Sequence, residues 1–441
     1  MSEPQSLQLR RVLGVGALIA YGVGDILGAG IYALIGAIAG IAGSSSWLSF
    51  AIAMCVAGIT GLSYAELGSR FPNSGGESYF CQQAFRRQSV AWVIGWMVLC
   101  SGVVSMATVA RAFAGYVQGL WPAASTAAIV IGFVLTIAVI AFWGIRQSST
   151  MNIVCTMVEL SGLMLVIVVG LVFVGRSVAE APPAPMAAPV SWNAIAQGAA
   201  LAFFAFIGFE DIVNVAEEVK TPERSIPIAL ITATVVAGTI YIVVVLVATA
   251  VVTPAVLAAS TAPLLEVVRR AAPAVPDITF TIIALFAVAN TALLNCVMAS
   301  RLLYGMSRQR LVPQWLGAVH PRTRTPHWAI VIVFVAALGL ALSGTLVVLA
   351  GTSGFVLLSV FATINVSLWV IKTRQGRRAE GFQVPRAVPI VGLLCCLGLL
   401  LFVKPAAILN GAIVVLLGLA LAATRLVCSS PTAQDHGTTR T

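Results

Sequence analysis

Charge is scarce in this chain. Asp, Glu, Lys and Arg make up 9% of its 441 residues, against roughly 25% in a soluble globular domain, so a sizeable soluble domain is excluded. Histidine is scarcer still. The three present, His320, His327 and His436, fall in expected loop or tail segments, which argues against a histidine proton relay and against a metal site. The eight cysteines (Cys55, Cys81, Cys100, Cys155, Cys296, Cys395, Cys396 and Cys428) lie almost all in apolar stretches or on one side of them. None has metal-ligand spacing, and the paired outer cysteines that a disulfide framework needs are missing, so they read as small buried hydrophobes. No nucleophile–His–acid set, histidine cluster or phosphate loop occurs, so neither an enzyme nor a cofactor is expected. The opening MSEPQSLQLRR leads into a long apolar stretch with no small-residue cleavage site, and no removable signal peptide is expected.

What is abundant is apolar sequence, 59% of the chain. Taking runs of about 20 apolar residues as membrane spans gives twelve: about 12–41, 46–68, 89–116, 125–143, 150–174, 193–217, 226–252, 277–304, 327–343, 346–371, 386–403 and 405–426. With the N-terminus inside, all but five of the 25 Lys and Arg fall on the cytoplasmic side, the exceptions being Arg111, Arg176, Arg269, Arg270 and Lys404. That is the positive-inside pattern for an even number of spans, and it places both termini in the cytoplasm and the protein in the plasma (inner) membrane. The net charge of +10 is therefore a topology signal. Without a basic stripe interleaved with aromatics on a soluble face, nucleic acid is not an expected partner; the lipid bilayer is.

Two spans are interrupted at their centres. Residues 21–36 read YGVGDILGAGIYALIG, with Gly28-Ala29-Gly30 in mid-span, and FFAFIGFEDIVNV (203–215) breaks around Gly208 just before Glu210 and Asp211. Glycine in a helix interior costs about 1 kcal/mol relative to Ala, and unwound backbone is tolerated in hydrocarbon only where protein or a wet cavity satisfies it. Paired interruptions in corresponding places of two halves point to the binding site of a secondary transporter. Spans 1–5 and 6–10 each begin with such a break. The expected architecture is all-α and polytopic, with twelve transmembrane helices in a five-plus-five inverted repeat and two appended helices. Residues 1–426 then form one transporter domain (repeat one about 12–174, repeat two about 193–371, helices 11 and 12 about 386–426). Residues 427–441 read as a disordered cytoplasmic tail, and 177–190, rich in Ala and Pro, as a flexible outer connector. Glycines can also serve close helix packing, and Gly24/Gly28 and Gly36/Gly40 have the spacing for it.

Four segments carry a resemblance: Gly28-Ala29-Gly30-Ile31-Tyr32; YAELGSRFPNSGGESYF (64–80); FAFIGFEDIVNVAEEVKTPERSIPIAL (204–230); and ASRLLYGMSRQRLVPQWLGAVHPRTRTP (299–326). In this order they resemble the amino acid–polyamine–organocation (APC) transporters, in particular the basic, cationic-type bacterial amino acid permeases, whose core is the ten-helix inverted repeat first described for a leucine transporter. The resemblance implies that the helix 1 break, here Gly28, Ala29, Gly30 and Ile31, binds a substrate carboxylate. It implies that the helix 6 break, here Ala205, Phe206, Ile207, Gly208 and Phe209, faces the substrate amino group. The physics agrees: helix-opening amides favour an anion, and the last carbonyls before a break favour an ammonium. Phe206, Phe209 and Trp96 are candidates for occluding the site.

Acidic residues inside the bilayer are functional candidates by default. Asp25 precedes the first break, at the negative end of a half-helix, and reads either as a proton or cation partner or as a neutral carboxyl bonded to backbone. Glu210 and Asp211 follow the second break. Asp211 is the better N-cap candidate, and Glu210 matches a family position tied to proton coupling or gating. Glu159 departs from the family pattern. Several proton-coupled relatives carry a lysine there that stands in for a sodium ion, so that mechanism does not transfer, and Glu159 is read as a proton carrier, as a cation ligand with span 1 carbonyls, or as a carboxyl merely hydrogen-bonded to Ser or Thr. Asn290 and Asn295 are polar groups of span 8 within reach of that region. Glu66, Arg70, Glu217 and Arg301 are expected to form a cytoplasmic gate of breakable ion pairs. The resulting expectation is an amino acid transporter working by alternating access with proton coupling. Amino acid or polyamine exchange is the alternative, and a non-transporting sensor or partner subunit is the rival from another class. A cationic substrate, and a neutral one with the acids reserved for protons, both fit these residues.

Overall fold

The computed structural model describes residues 11, 13–72, 76–143, 149–180, 191–308, 312–376 and 381–428, with side chains for all of these except 149–153, 177–180 and 424–428. The first expected span is two helices, α1 (Val15–Ile26) and α2 (Ala29–Ala42), followed by a 3₁₀ turn at Gly43–Ser45. Next come α3 (Ser46–Arg70), the short α4 (Gly76–Phe85), α5 (Gln88–Leu120), α6 (Thr126–Trp143) and α7 (Ser149–Glu180). The second broken span consists of α8 (Trp192–Ala202), a 3₁₀ turn at Phe203–Phe206 and a 3₁₀ helix at Phe209–Glu218. After it follow α9 (Pro222–Val251), the short α10 (Pro254–Ala259) and α11 (Pro263–Ala271), α12 (Asp277–Arg308), a 3₁₀ turn at Gln314–Gly317, α13 (His327–Ser343), α14 (Leu346–Gln375), α15 (Ala387–Leu400) and α16 (Pro405–Cys428).

Among the described residues nine helical runs are long and apolar enough to cross a membrane, and three apolar helices (α1, α13 and α15) are shorter. The twelve residues of α1 rise about 18 Å, short of the ~30 Å hydrocarbon core, so α1 and α2 make one crossing only together. Helix α7 continues to Glu180, into the stretch expected to be a flexible connector. The rest of that connector, 181–190, and the tail beyond Cys428 lie outside the described residues. No strand occurs among the described residues. The one isolated bridge pairs Leu13, before α1, with Val219, after the second broken span.

The helices pack as an interior set wrapped by lipid-facing ones. Helix α3 lies along α9, and α5 lies against both α12 and α14. Leu135 of α6, Val168 of α7 and Leu416 of α16 are 50–63% exposed, as side chains facing acyl chains should be. Inside, Tyr64 is fully buried with edge-on contacts to Phe80, Phe209 and Phe361, so α3, α4, α14 and the second broken span share one aromatic core.

Candidate functional site

The first break is confined to Leu27 and Gly28, since Ala29 and Gly30 already belong to the first turn of α2. No side chain of its own segment caps that turn. The Thr291 hydroxyl of α12 accepts the Ala29 N–H instead, at 2.9 Å. Of the amides expected to face an anion, Ala29 is thus already satisfied, and Gly30 and Ile31 are the remaining helix-opening pair. The second break is Ile207, which is extended, and Gly208, whose φ of +121° is a left-handed conformation that side chains resist. Beyond it the chain stays 3₁₀ for ten residues. Such runs seldom exceed three or four residues, and a long one marks a hinge or strain.

The two breaks touch. A Cβ on Gly30 would overlap the Ala205 backbone, and one on Gly208 would sit 2.9 Å from the Asp25 carbonyl oxygen. The Tyr241 hydroxyl of α9 donates to the carbonyls of both Ile26, which ends α1, and Ala205, the latter at 3.1 Å. Close packing also accounts for other glycines of the first span: Gly24 faces Thr156, Gly28 faces Thr291, and Gly36 and Gly40 face Leu257 and Ala258 of α10.

The expected acids gather here, with some roles exchanged. It is Glu210, not Asp211, that caps the second break, its Oε2 accepting the Gly208 N–H at 2.8 Å. The Asp211 carboxylate accepts instead from Asn214, at 2.9 Å. The Asp25 and Asp211 carboxyls face each other across the two breaks within electrostatic reach, and Glu210 and Glu159 also act on Asp25. Asp25 Oδ2 is sealed from solvent with no donor group upon it. Glu159 is fully buried on α7. Asn290 donates to its Oε1 at 2.9 Å, its Oε2 has no partner, and its backbone carbonyl accepts from Tyr32. Asn295 donates instead to Ser105 and to the Thr291 carbonyl, an interhelical tie.

Two of the aromatic candidates leave the site. Phe206 stays, edge-on to Tyr241 with ring centres 5.4 Å apart. Phe209 turns into the Tyr64–Phe361 core. Trp96 stacks on Trp92 and donates to the Val414 carbonyl of α16, so it fastens α5 to an outer helix.

The expected cytoplasmic gate is rearranged. Glu66, 0% exposed, receives two N–H groups of Arg70 at 2.9 and 2.5 Å, the Lys372 ammonium at 2.6 Å and the Val384 N–H at 2.8 Å. Lys372 also donates to the Val384 carbonyl. The second cation on Glu66 is therefore Lys372, from the end of α14, and Arg301 is exposed on α12, within electrostatic reach of Tyr21 of α1. Glu217 is half-buried on the 3₁₀ helix. That helix's end pairs with the start of the chain through Leu13 N–H to Glu218 O (2.9 Å) and Lys220 N–H to Leu13 O (3.0 Å).

Sequence reasoning missed Tyr241, Thr291, Lys372 and Glu77. Glu77 opens α4, is 5% exposed, accepts from the Tyr64 hydroxyl at 3.2 Å and is electrostatically coupled to Glu210. It lay within the quoted 64–80 segment, and a lone acid at a helix start reads as an ordinary dipole partner.

Nine apolar helical runs long enough to cross a membrane among the described residues, with two breaks in contact, define a multi-pass membrane protein. The amino acid permease family matches residues 13–420, and the chain belongs to that family. It is similar to the branched-chain amino acid permease BcaP of Bacillus subtilis, 30% identical over 94% of this chain and 92% of that one. It is likewise similar to the methylthioribose transporter of Bacillus subtilis, 28% identical over 90% and 89%. A chloroplastic cationic amino acid transporter 9 of Arabidopsis thaliana is 30% identical over 71% of this chain and 58% of its own length. The relatives are permeases and transporters rather than enzymes.

Proposed function

We propose that this protein is a secondary active transporter that carries an amino acid across the plasma membrane by alternating access, coupled to protons. The observation that carries the reading is the meeting of the two breaks. The helix-opening amides of α2 and the helix-ending carbonyl of Ala205 converge on one spot, with opposite partial charges suited to the two ends of a zwitterion. Substrate contacts come from Gly28, Gly30, Ile31, Ala205, Phe206, Ile207 and Gly208. Coupling rests on Asp25, Asp211, Glu159 and Glu210. Asp25 and Glu159 each bury a carboxyl oxygen with no partner, and this supports proton coupling because a sealed, unpaired carboxylate is costly unless it holds a proton.

Counting each broken pair as one crossing gives twelve crossings, α1 through α7 forming one repeat and α8 through α14 the other, with α15 and α16 appended and both termini cytoplasmic. The described helices act as one transporter domain. The substrate is a small zwitterion. The relatives divide between neutral and cationic names, and the surplus of carboxyls at the breaks favours a substrate with an added positive charge over a branched-chain one, with exchange as the second mode.

The test is uptake of a labelled amino acid panel into proteoliposomes under an inward proton gradient without sodium. Accumulation above equilibrium that collapses with a protonophore is the expected result. Uptake only against internal amino acid would replace symport by exchange, and binding without flux would move the protein to the sensor class.

A further inference from the structure

At the side away from the termini, a narrow crevice opens between α2, α8, the start of α14 and the turn joining α15 to α16. Its walls are apolar, among them Ile41, Leu201, Val347 and Phe402, and its two polar lining residues are Gln197 and Lys404. Lys404 is exposed, and no carboxylate pairs with its ammonium among the described residues. It is one of the few basic residues left on that side by the positive-inside bias. The level is interfacial: Trp192, at the start of α8, is 73% exposed, and Leu401, beside the crevice, is 81% exposed, an aromatic and an aliphatic anchor where headgroup meets acyl chain.

We propose that this crevice binds an anionic phospholipid of the outer leaflet, one acyl chain lying along the apolar walls and the headgroup phosphate on Lys404. Charge complementarity selects the occupant. A zwitterionic amino acid would leave its charged ends against hydrocarbon walls, whereas an acyl chain buries them and brings an anion only to the rim. Basic sites between membrane helices recognise acidic headgroups in this way. The location gives the lipid leverage. Helices α2 and α8 are the outer halves of the two broken spans, so a chain wedged between them and α14 holds those halves together and slows opening toward the outside. The leaflet follows from the proposed orientation, and the transport consequence from the proposed function. The binding itself requires neither.

Native mass spectrometry of the full chain, released from bilayers of equal phosphatidylglycerol and phosphatidylcholine, tests this. The wild type should retain phosphatidylglycerol in preference by about fivefold, the factor expected of one lysine at a membrane surface. Lys404→Gln should lose the preference while still retaining lipid, and Val347→Trp, which fills the crevice, should retain less of both. Equal phosphatidylglycerol retention by wild type and Lys404→Gln would overturn the proposal. So would displacement of the lipid by an amino acid in the millimolar range, which would assign the crevice to the transport path. Inorganic phosphate at the same concentration should displace nothing, because it lacks the chain. The measurement reads binding without flux, so it can fail while the transport reading stands, and the reverse holds too.

Discussion

Gly208 and Tyr241 show how much of this site depends on single residues. At Gly208 the φ of +121° and the 2.9 Å that would separate an added Cβ from the Asp25 carbonyl act together. Backbone strain of this kind is about 1–3 kcal/mol, and the clash cannot be relieved by rotating a side chain. Gly208→Ala is expected to cut uptake to below about a tenth at normal membrane expression, measured as initial rate per transporter; full activity would mean that the break need not keep this conformation. Tyr241→Phe should act the other way on affinity. Its hydroxyl occupies the Ala205 carbonyl that the substrate ammonium is proposed to use. A hydrogen bond of about 0.5–1.5 kcal/mol then competes with binding, and its loss should lower KM by roughly two- to tenfold, whereas a raised KM would make the hydroxyl a substrate ligand. The break glycines were legible in the sequence because they interrupt two spans in corresponding places. Tyr241 was not, since an aromatic residue in an apolar helix reads as packing until its hydroxyl is seen to meet two helix ends 215 and 36 residues away in sequence.

At the scale of elements, the face at which α1 begins and α14 ends is held by two unlike joints. One is the Glu66 cluster, where a fully buried carboxylate receives donors from its own helix, from the end of α14 and from the connector to α15. Ser69 adds to this joint, accepting the Phe382 N–H and donating to the Glu223 carbonyl. Removing one partner of such a buried pair costs about 3–5 kcal/mol, while replacing both by apolar groups is often neutral. Glu66→Gln, which leaves two buried cations facing a neutral amide, should therefore lower the thermal midpoint markedly, and Lys372→Met, which leaves the Arg70–Glu66 pair in place, should lower it less; equal losses would make Lys372 the main partner. The other joint is the two-bond backbone bridge between Leu13 and residues 218–220, which exposes no buried charge when it parts. A cysteine pair at Leu13 and Val219, cross-linked by oxidant, should arrest uptake and release it on reduction. Unchanged uptake in the oxidised protein would assign inner opening elsewhere. The sequence pointed to Glu66 and Arg70 but offered Arg301 as their partner, because a lysine at the end of a span is indistinguishable from the snorkelling lysines that end most spans. Which helix ends meet is decided by tertiary packing, here α14 against α3, and charge order along the chain carries no record of it.

For the whole molecule, coupling has to be separated from binding, and Glu159 is the residue at which the two part. It is 0% exposed, one oxygen is held by Asn290, the other has no partner, and its own carbonyl is tied to Tyr32 of α2. A carboxyl so placed touches no part of the proposed substrate site directly, yet it links α7, α12 and the half-helix that opens the first break. Glu159→Gln keeps the volume, keeps an acceptor for Asn290 and removes the titrating group. If Glu159 carries the coupled proton, the variant should lose accumulation under a proton gradient by tenfold or more, a loss of about 1.4 kcal/mol of driving force per decade. Counterflow of labelled substrate at equal pH on both sides, which needs binding and turnover but no net proton movement, should remain within a few-fold of the wild type. Loss of both would make Glu159 a structural support of the first break. Retention of both would move coupling to Asp25 and Asp211, which face each other across the two breaks and would part whenever the halves separate. Either way the same proteoliposomes report the answer, because gradient-driven uptake and counterflow differ only in whether the proton must travel with the substrate.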